Sequence, residues 1–120
     1  KNGLASQSEN ADFVLEKTNI KHLLDAAATG ITAKKYSVSP KPDPSFYRHA
    51  ACLLNVNISD CIVFEDTYAG AFSAVAAGVN ICVGVARNQS SVMELASAGC
   101  DLITRDLDQF RNILSLNKII

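Results

Sequence analysis

A chain of 120 residues, 48% hydrophobic and 19% charged, is sized for one globular domain: long enough to bury a core, short for an enzyme that also carries a lid over its substrate. A net charge of -1 provides no steering field, which argues against nucleic acid or an acidic membrane surface as the main partner. The longest uncharged run, Thr67 to Ala86, is broken by Gly70, Gly78 and Asn80, so it reads as a helix followed by a strand and not as a membrane span.

Lys1-Asn2-Gly3 shows no signal-peptide pattern. Cys52, Cys61, Cys82 and Cys100 have no C-x-x-C spacing and read as reduced packing residues of a cytoplasmic chain, not as zinc ligands or disulfides.

In chain order, Gly3–Ser6 reads as a short strand and Asp12–Thr18 as a helix, with Phe13, Val14 and Lys17 on one face and Ser8 or Asn10 available to cap it. Leu24–Ala28 reads as a second short strand. Thr29–Pro44, with its glycine, lysines, serines and prolines, reads as loop. A helix is expected over Ser45–Asn55, the apolar strand Cys61–Phe64 follows, and small residues make a helix of Ala69–Ala77. Then come a strand over Val79–Val85, a helix near Ser91–Ala98, a strand over Asp101–Thr104 and a last helix over Leu107–Leu116. Strands rich in Val and Ile without alternation are buried on both faces, with helices crossing over between them. The fold class is α/β, a doubly wound parallel sheet.

Ligands of such sheets collect at the carboxyl ends of the strands, and three polar clusters fall there. In Cys61-Ile62-Val63-Phe64-Glu65-Asp66-Thr67-Tyr68-Ala69-Gly70 an apolar strand ends in two adjacent carboxylates. Side by side they repel unless a cation shares them, and oxygen ligands of this kind suit magnesium. The plainer alternative makes Asp66 the cap of the helix that starts near Tyr68, with Glu65 solvated beside it. The second cluster, Ser6-Gln7-Ser8-Glu9-Asn10, offers hydroxyls and helix-start N–H groups to a phosphate. The third is Lys41, confined by the prolines of Ser39-Pro40-Lys41-Pro42-Asp43-Pro44. Singly, each also reads as an ordinary helix cap or a solvated loop charge.

Together these residues resemble a known family. A hydroxyl after a strand, a lysine in a K-P-x-P loop and an apolar strand ending in E-D-x-x-x-G are similar to the second, third and fourth motifs of the haloacid dehalogenase-like superfamily of phosphotransferases. Leu4-Ala5-Ser6-Gln7-Ser8-Glu9-Asn10, Lys41-Pro42-Asp43-Pro44 and Phe64-Glu65-Asp66-Thr67-Tyr68-Ala69-Gly70 are most similar to its β-phosphoglucomutase-like phosphatases and mutases. Val83-Gly84-Val85-Ala86-Arg87 and Gly99-Cys100-Asp101-Leu102-Ile103-Thr104-Arg105-Asp106-Leu107 extend the likeness nearly to the end of the chain.

The resemblance implies that Ser6 hydrogen-bonds the transferring phosphoryl group and that Lys41 offsets charge on it and on the nucleophile. It implies that Glu65 and Asp66 hold Mg2+, and that Gln7, Ser8 and Asn10 help to seat the phosphate of a small phosphorylated substrate. Glu9 stands where mutase-like relatives tend to carry a basic residue, which favours simple phosphatase chemistry. The family's first motif, an apolar strand followed by D-x-D that bears the aspartate nucleophile, has no counterpart before Ser6. Asp106-Leu107-Asp108 fits helix capping better. In the resembling fold the nucleophile strand lies between the strand ending at Ser6 and the strand ending at Phe64. The expectation is therefore an incomplete core, residues 1–120 being its single C-terminal portion, without the cap domain. It would be inactive alone and completed by the upstream half of the same protein, or would dimerise through exposed strand edges.

Two alternatives stand beside this reading: a noncatalytic phosphate-binding or regulatory module, and an unrelated doubly wound domain such as a receiver-like or nucleotide-binding domain. The second is weakened by the lack of G-x-G-x-x-G and of a Walker lysine. His22 and His49 read as surface or half-buried residues, Arg87 as a loop cation, and Phe72 and Met93 as packing residues.

Overall fold

The computed structural model describes residues 1–116. Strands and helices alternate: β1 (Gly3–Ala5), α1 (Ala11–Lys17), β2 (Ala26–Ala28), α2 (Gly30–Lys35), α3 (Ser45–Leu54), β3 (Ile62–Glu65), α4 (Tyr68–Ala77), β4 (Ile81–Val85), α5 (Gln89–Ser97), β5 (Leu102–Thr104) and α6 (Leu107–Leu116). All strand pairs are parallel. β1 lies beside β2 with Gly3 opposite Ala26 and Ala5 opposite Ala28, while β3, β4 and β5 form a second sheet in that order, with Glu65 opposite Gly84.

The three-stranded sheet is covered on both faces, which is why β4 is apolar at every position. Cys82 turns to a core of Ala71, Ala74 and Ala77 of α4, Leu95 of α5 and Ala98 just after it, whereas Val83 turns to Phe110 and Leu114 of α6. Small side chains let α4 lie close to the sheet: Ala71, Ser73 and Ala74 have no exposed surface. That helix ends at Gly78, whose φ of 88° is a left-handed conformation that a Cβ disfavours. α3 packs on β1 and β2 through Phe46, which meets Ala28 and Ala33, and on α4 through Tyr47, so it couples the two sheets.

Several expectations are corrected. The stretch taken as loop after Thr29 contains α2, because Thr29 and Thr32 form a reciprocal capping box and Ala33 buries against Phe46. On α1 the inward residues are Ala11 and Leu15; Phe13 and Val14 face outward, with the Lys17 ammonium 5.5 Å from the centre of the Phe13 ring. Asn10 occupies the N-cap position of α1 without a side-chain cap bond. Met93 is exposed and Phe72 half-exposed, stacked on Tyr68, so neither is a core residue. The remaining element boundaries differ by no more than two residues, as hydrogen-bonded ends commonly do. The capping role of Asp106 is found, its carboxylate accepting from the Asp108 N–H at 2.8 Å.

Between the two sheets runs a groove of about 680 Å³, lined by Gly3 and Ala5 of β1, Ile62 and Phe64 of β3, Leu54 of α3 and Leu114 of α6. Among the described residues β1 pairs only with β2 and β3 only with β4, so both strands turn an unpaired edge to this groove. Among the same residues no helix is long and apolar enough to cross a membrane.

Candidate functional site

The loop before α3 reaches across the ends of β1 and β3, its Lys41 touching both the Ala5 carbonyl and Glu65. That loop is pinned at both flanks. The Gln7 side-chain carbonyl accepts from the Lys41 N–H at 2.5 Å, and the Ser73 hydroxyl donates to the Asp43 carbonyl at 2.7 Å. Asp43 accepts from the Ser45 N–H at 2.8 Å, and hydrogen bonds from Ser45, its side chain first, hold this carboxyl below its ordinary range. The Lys41–Pro42 peptide bond is cis.

So anchored, the Lys41 side chain turns inward, its exposure only 8%. Its ammonium donates to the Ala5 carbonyl at 3.0 Å, to the Tyr47 hydroxyl at 3.1 Å and to Glu65 Oε1. The ring of Tyr47 lies 4.7 Å from Nζ and that of Phe46 5.5 Å, so an aromatic wall faces the cation as well.

Glu65 is equally buried, at 8% exposure, which removes the reading of a solvated carboxylate. Its Oε1 accepts from Lys41 and from the Tyr47 hydroxyl, and its Oε2 from the Thr67 hydroxyl at 3.4 Å. Burial, and after it the charge of Glu65, raises the Tyr47 phenol far above its ordinary pKa, so it remains a donor. Gly70 leaves the room for this carboxylate: a methyl group there would overlap both of its oxygens.

Thr67, not Asp66, caps α4, its hydroxyl accepting from the Gly70 N–H at 3.1 Å. Thr67→Ala should therefore cost about 1 kcal/mol in urea-unfolding free energy. Asp66 instead points outward, where its Oδ2 accepts from Arg87 Nε at 3.1 Å and Nη2 at 2.6 Å. Arg87, expected to be a plain loop cation, is thus a partner of the second carboxylate, in an exposed pair of small intrinsic value.

After β1 the chain keeps its parallel pairing for one more residue, Ser6 N donating to Ala28 O at 2.9 Å. Ser6 Oγ then accepts from Ser8 N at 3.3 Å, and Ser8 Oγ from Asn10 N at 3.1 Å. Ser8 and Asn10 stay on this exposed turn, while Glu9 pairs with Lys34. The residues expected to act together divide accordingly. Lys41 and Glu65 are in contact, Ser6 follows the residue whose carbonyl holds Lys41, Gln7 holds the Lys41 backbone, and Asp66 faces Arg87.

A family model described as haloacid dehalogenase-like hydrolase matches residues 4–78, which include Ser6, Gln7, Ser8, Asn10, Lys41, Glu65 and Asp66. The chain belongs to that family. Over 103 residues it is 35% identical to β-phosphoglucomutase of Bacillus subtilis, a match covering 86% of this chain and 41% of that protein. It is 41% identical over 71 residues to validoxylamine A 7'-phosphate phosphatase of Streptomyces hygroscopicus, covering 59% of the chain and 32% of the relative. The crystal structure of β-phosphoglucomutase from Clostridium difficile superposes with a TM-score of 0.75 at 30% identity, covering 94% of this chain and 47% of that one. The chain thus spans less than half the length of these relatives.

Within this haloacid dehalogenase-like frame, Glu65 and Asp66 are adjacent hard oxygen donors at a strand end. Such donors fit magnesium, which takes one or two carboxylates and keeps several waters. Among the described residues no group of three or more His, Cys, Asp and Glu side chains comes together to hold a metal, and the two carboxylates have different partners, Glu65 inward on Lys41 and Tyr47 and Asp66 outward on Arg87. The four cysteines are unbridged, and the His49 ring lies tilted against that of Tyr36, their centres 5.4 Å apart. Burial and the neighbouring Cys100 push the Cys82 thiol up to about 12. Only on the order of one Cys82 in ten thousand is then a thiolate at pH 8. Iodoacetamide at pH 8 should label exposed Cys52 completely before Cys82 reacts, as peptide mapping would show.

Two contributors escape motif reading. Arg87 acts on Asp66, a neighbour that only the fold supplies. Tyr47 carries a sequence signal, since a tyrosine at a core position of a helix needs a partner for its hydroxyl.

Proposed function

We propose that the chain is a single C-terminal portion of a haloacid dehalogenase-like core, residues 1–120, and forms one wall of a magnesium-dependent phosphoryl-transfer site. Its substrate is a small phosphomonoester of the sugar-phosphate type. The observation that carries the reading is the buried Lys41 ammonium held against Glu65 at the mouth of β1 and β3. Burying a charged pair is costly, and a strand-end cleft that retains one has a charge to compensate.

In this reading Ser6 donates a hydrogen bond to a phosphoryl oxygen and Lys41 compensates charge on the equatorial oxygens. Gln7 fixes the Lys41 loop, while Ser8 and Asn10 offer the turn before α1 to the substrate's phosphate. Glu65 and Asp66 hold the magnesium, Asp66 exchanging its surface pair with Arg87 for the cation. Bound there, magnesium supplies positive charge that offsets the phosphoryl oxygens. The nucleophile is an aspartate on a strand supplied from outside this chain, seated in the groove between β1 and β3 where both edges lack a partner. Hydrolysis is favoured over a mutase reaction, because the acidic Glu9 stands where mutase-like relatives tend to carry a basic residue for a second phosphate.

The test is hydrolysis of p-nitrophenyl phosphate with magnesium, by this chain and by a longer form bearing an apolar D-x-D strand ahead of Lys1. The longer form should turn over and the chain alone should not. In the longer form Asp66→Asn should lower kcat by about 100-fold or more, in line with the loss of one preorganised charge. Turnover by the chain alone, or an unchanged kcat in Asp66→Asn, would contradict the reading.

A further inference from the structure

We propose that Tyr47 is a positioning residue of this site, its hydroxyl locking the Lys41 ammonium and the Glu65 carboxylate into one orientation. The inference rests on the functional reading above for its purpose but on geometry for its content. Three groups close a triangle: the phenol donates to Glu65 Oε1, the same oxygen receives Lys41, and Lys41 Nζ donates to the phenol oxygen at 3.1 Å.

Packing alone does not call for this arrangement. Tyr47 is 5% exposed and belongs to the core that joins α3 to α4 and the sheet, a place a phenylalanine would fill. A hydroxyl there is a burden unless it is bonded, and its two bonds both go to the charged pair. The third position of α3 fixes the backbone that carries the ring, and α3 itself is seated on β1 and β2, so the hydroxyl is a rigid reference point. Lysine, by contrast, has a flexible four-carbon stem with three rotatable donors. Without the hydroxyl, Lys41 keeps only the Ala5 carbonyl and Glu65, and Glu65 Oε1 keeps only Lys41. The ammonium is then free to swing with its carboxylate.

The test is Tyr47→Phe in the full chain, which retains the ring and removes one oxygen. Proton exchange of the Lys41 ammonium is followed by 15N NMR, and binding of inorganic phosphate with magnesium by calorimetry. Exchange should accelerate roughly tenfold, as expected for loss of a hydrogen bond to a charged group. Phosphate binding should weaken by a similar factor. A change in packing alone would move the thermal midpoint and leave the ammonium exchange as it was. Unchanged exchange in Tyr47→Phe overturns the proposal, whatever phosphate does. Accelerated exchange with no phosphate binding by the wild type supports the positioning and sinks the functional reading instead. Should Tyr47→Phe not fold, the wild type decides: Lys41 must exchange far more slowly than exposed Lys34, and equal rates would overturn the proposal.

Discussion

Lys41→Met is expected to lower the unfolding free energy by about 3–5 kcal/mol, the cost of stranding one partner of a buried ion pair. The thioether fills much of the lysine stem's volume, so the loss comes from charge, not from a cavity. Glu65 would keep only the hydroxyls of Tyr47 and Thr67 in a pocket with 8% of its surface open to water. Adding Glu65→Gln removes the stranded charge while leaving an amide oxygen for Tyr47, so the double variant should recover about half of the loss or more. Urea unfolding followed by circular dichroism measures both. A cost below about 1 kcal/mol for Lys41→Met would mean that the pair behaves as a surface pair and is hydrated in solution.

Gly70→Ala should destabilise the chain by about 1–3 kcal/mol, although alanine at a helix position normally stabilises by up to about 1 kcal/mol over glycine. The sign separates the two effects. A methyl group at residue 70 has nowhere to go but into the Glu65 carboxylate, so α4 or Glu65 must shift. If the clash is with that carboxylate, shortening it by Glu65→Asp in the Gly70→Ala background should restore part of the stability, whereas Glu65→Asp alone should weaken it. Thermal unfolding of the three variants distinguishes this from a helix-propensity effect. A Gly70→Ala chain more stable than the wild type would contradict the close approach.

These two sites show where sequence was informative and where it was not. Lys41, Glu65 and Asp66 stand out only in combination, since a lysine among prolines or a carboxylate after a strand also reads singly as a loop charge or a helix cap. The parallel α/β arrangement is equally legible, since Ile81–Val85 is apolar without alternation and Thr67 to Gly78 is rich in small residues. α2 was hidden because its signal is a threonine pair acting as a reciprocal cap, within a lysine- and glycine-bearing stretch that otherwise reads as loop. The outward face of α1 was misread for a different reason: Phe13 and Val14 are apolar, but the tertiary contact selects the smaller Ala11 together with Leu15. The sequence leaves Asp66 two competing roles, and the cap belongs to its neighbour Thr67. Glu65 shares its contacts with Tyr47, far away in sequence, and no local pattern reports such a triangle.

The central claim is that Ser6, Lys41, Glu65 and Asp66 face one phosphate and one cation. The most direct measurement is a titration of the 15N-labelled chain with magnesium and inorganic phosphate, read as amide shifts in NMR spectra. The account predicts that magnesium moves the amides around Glu65, Asp66 and Thr67, and that phosphate then moves those of Ser6 to Ser8 and of Lys41. Shifts confined to residues remote from the ends of β1 and β3, or none at these positions at saturating concentrations, would contradict it.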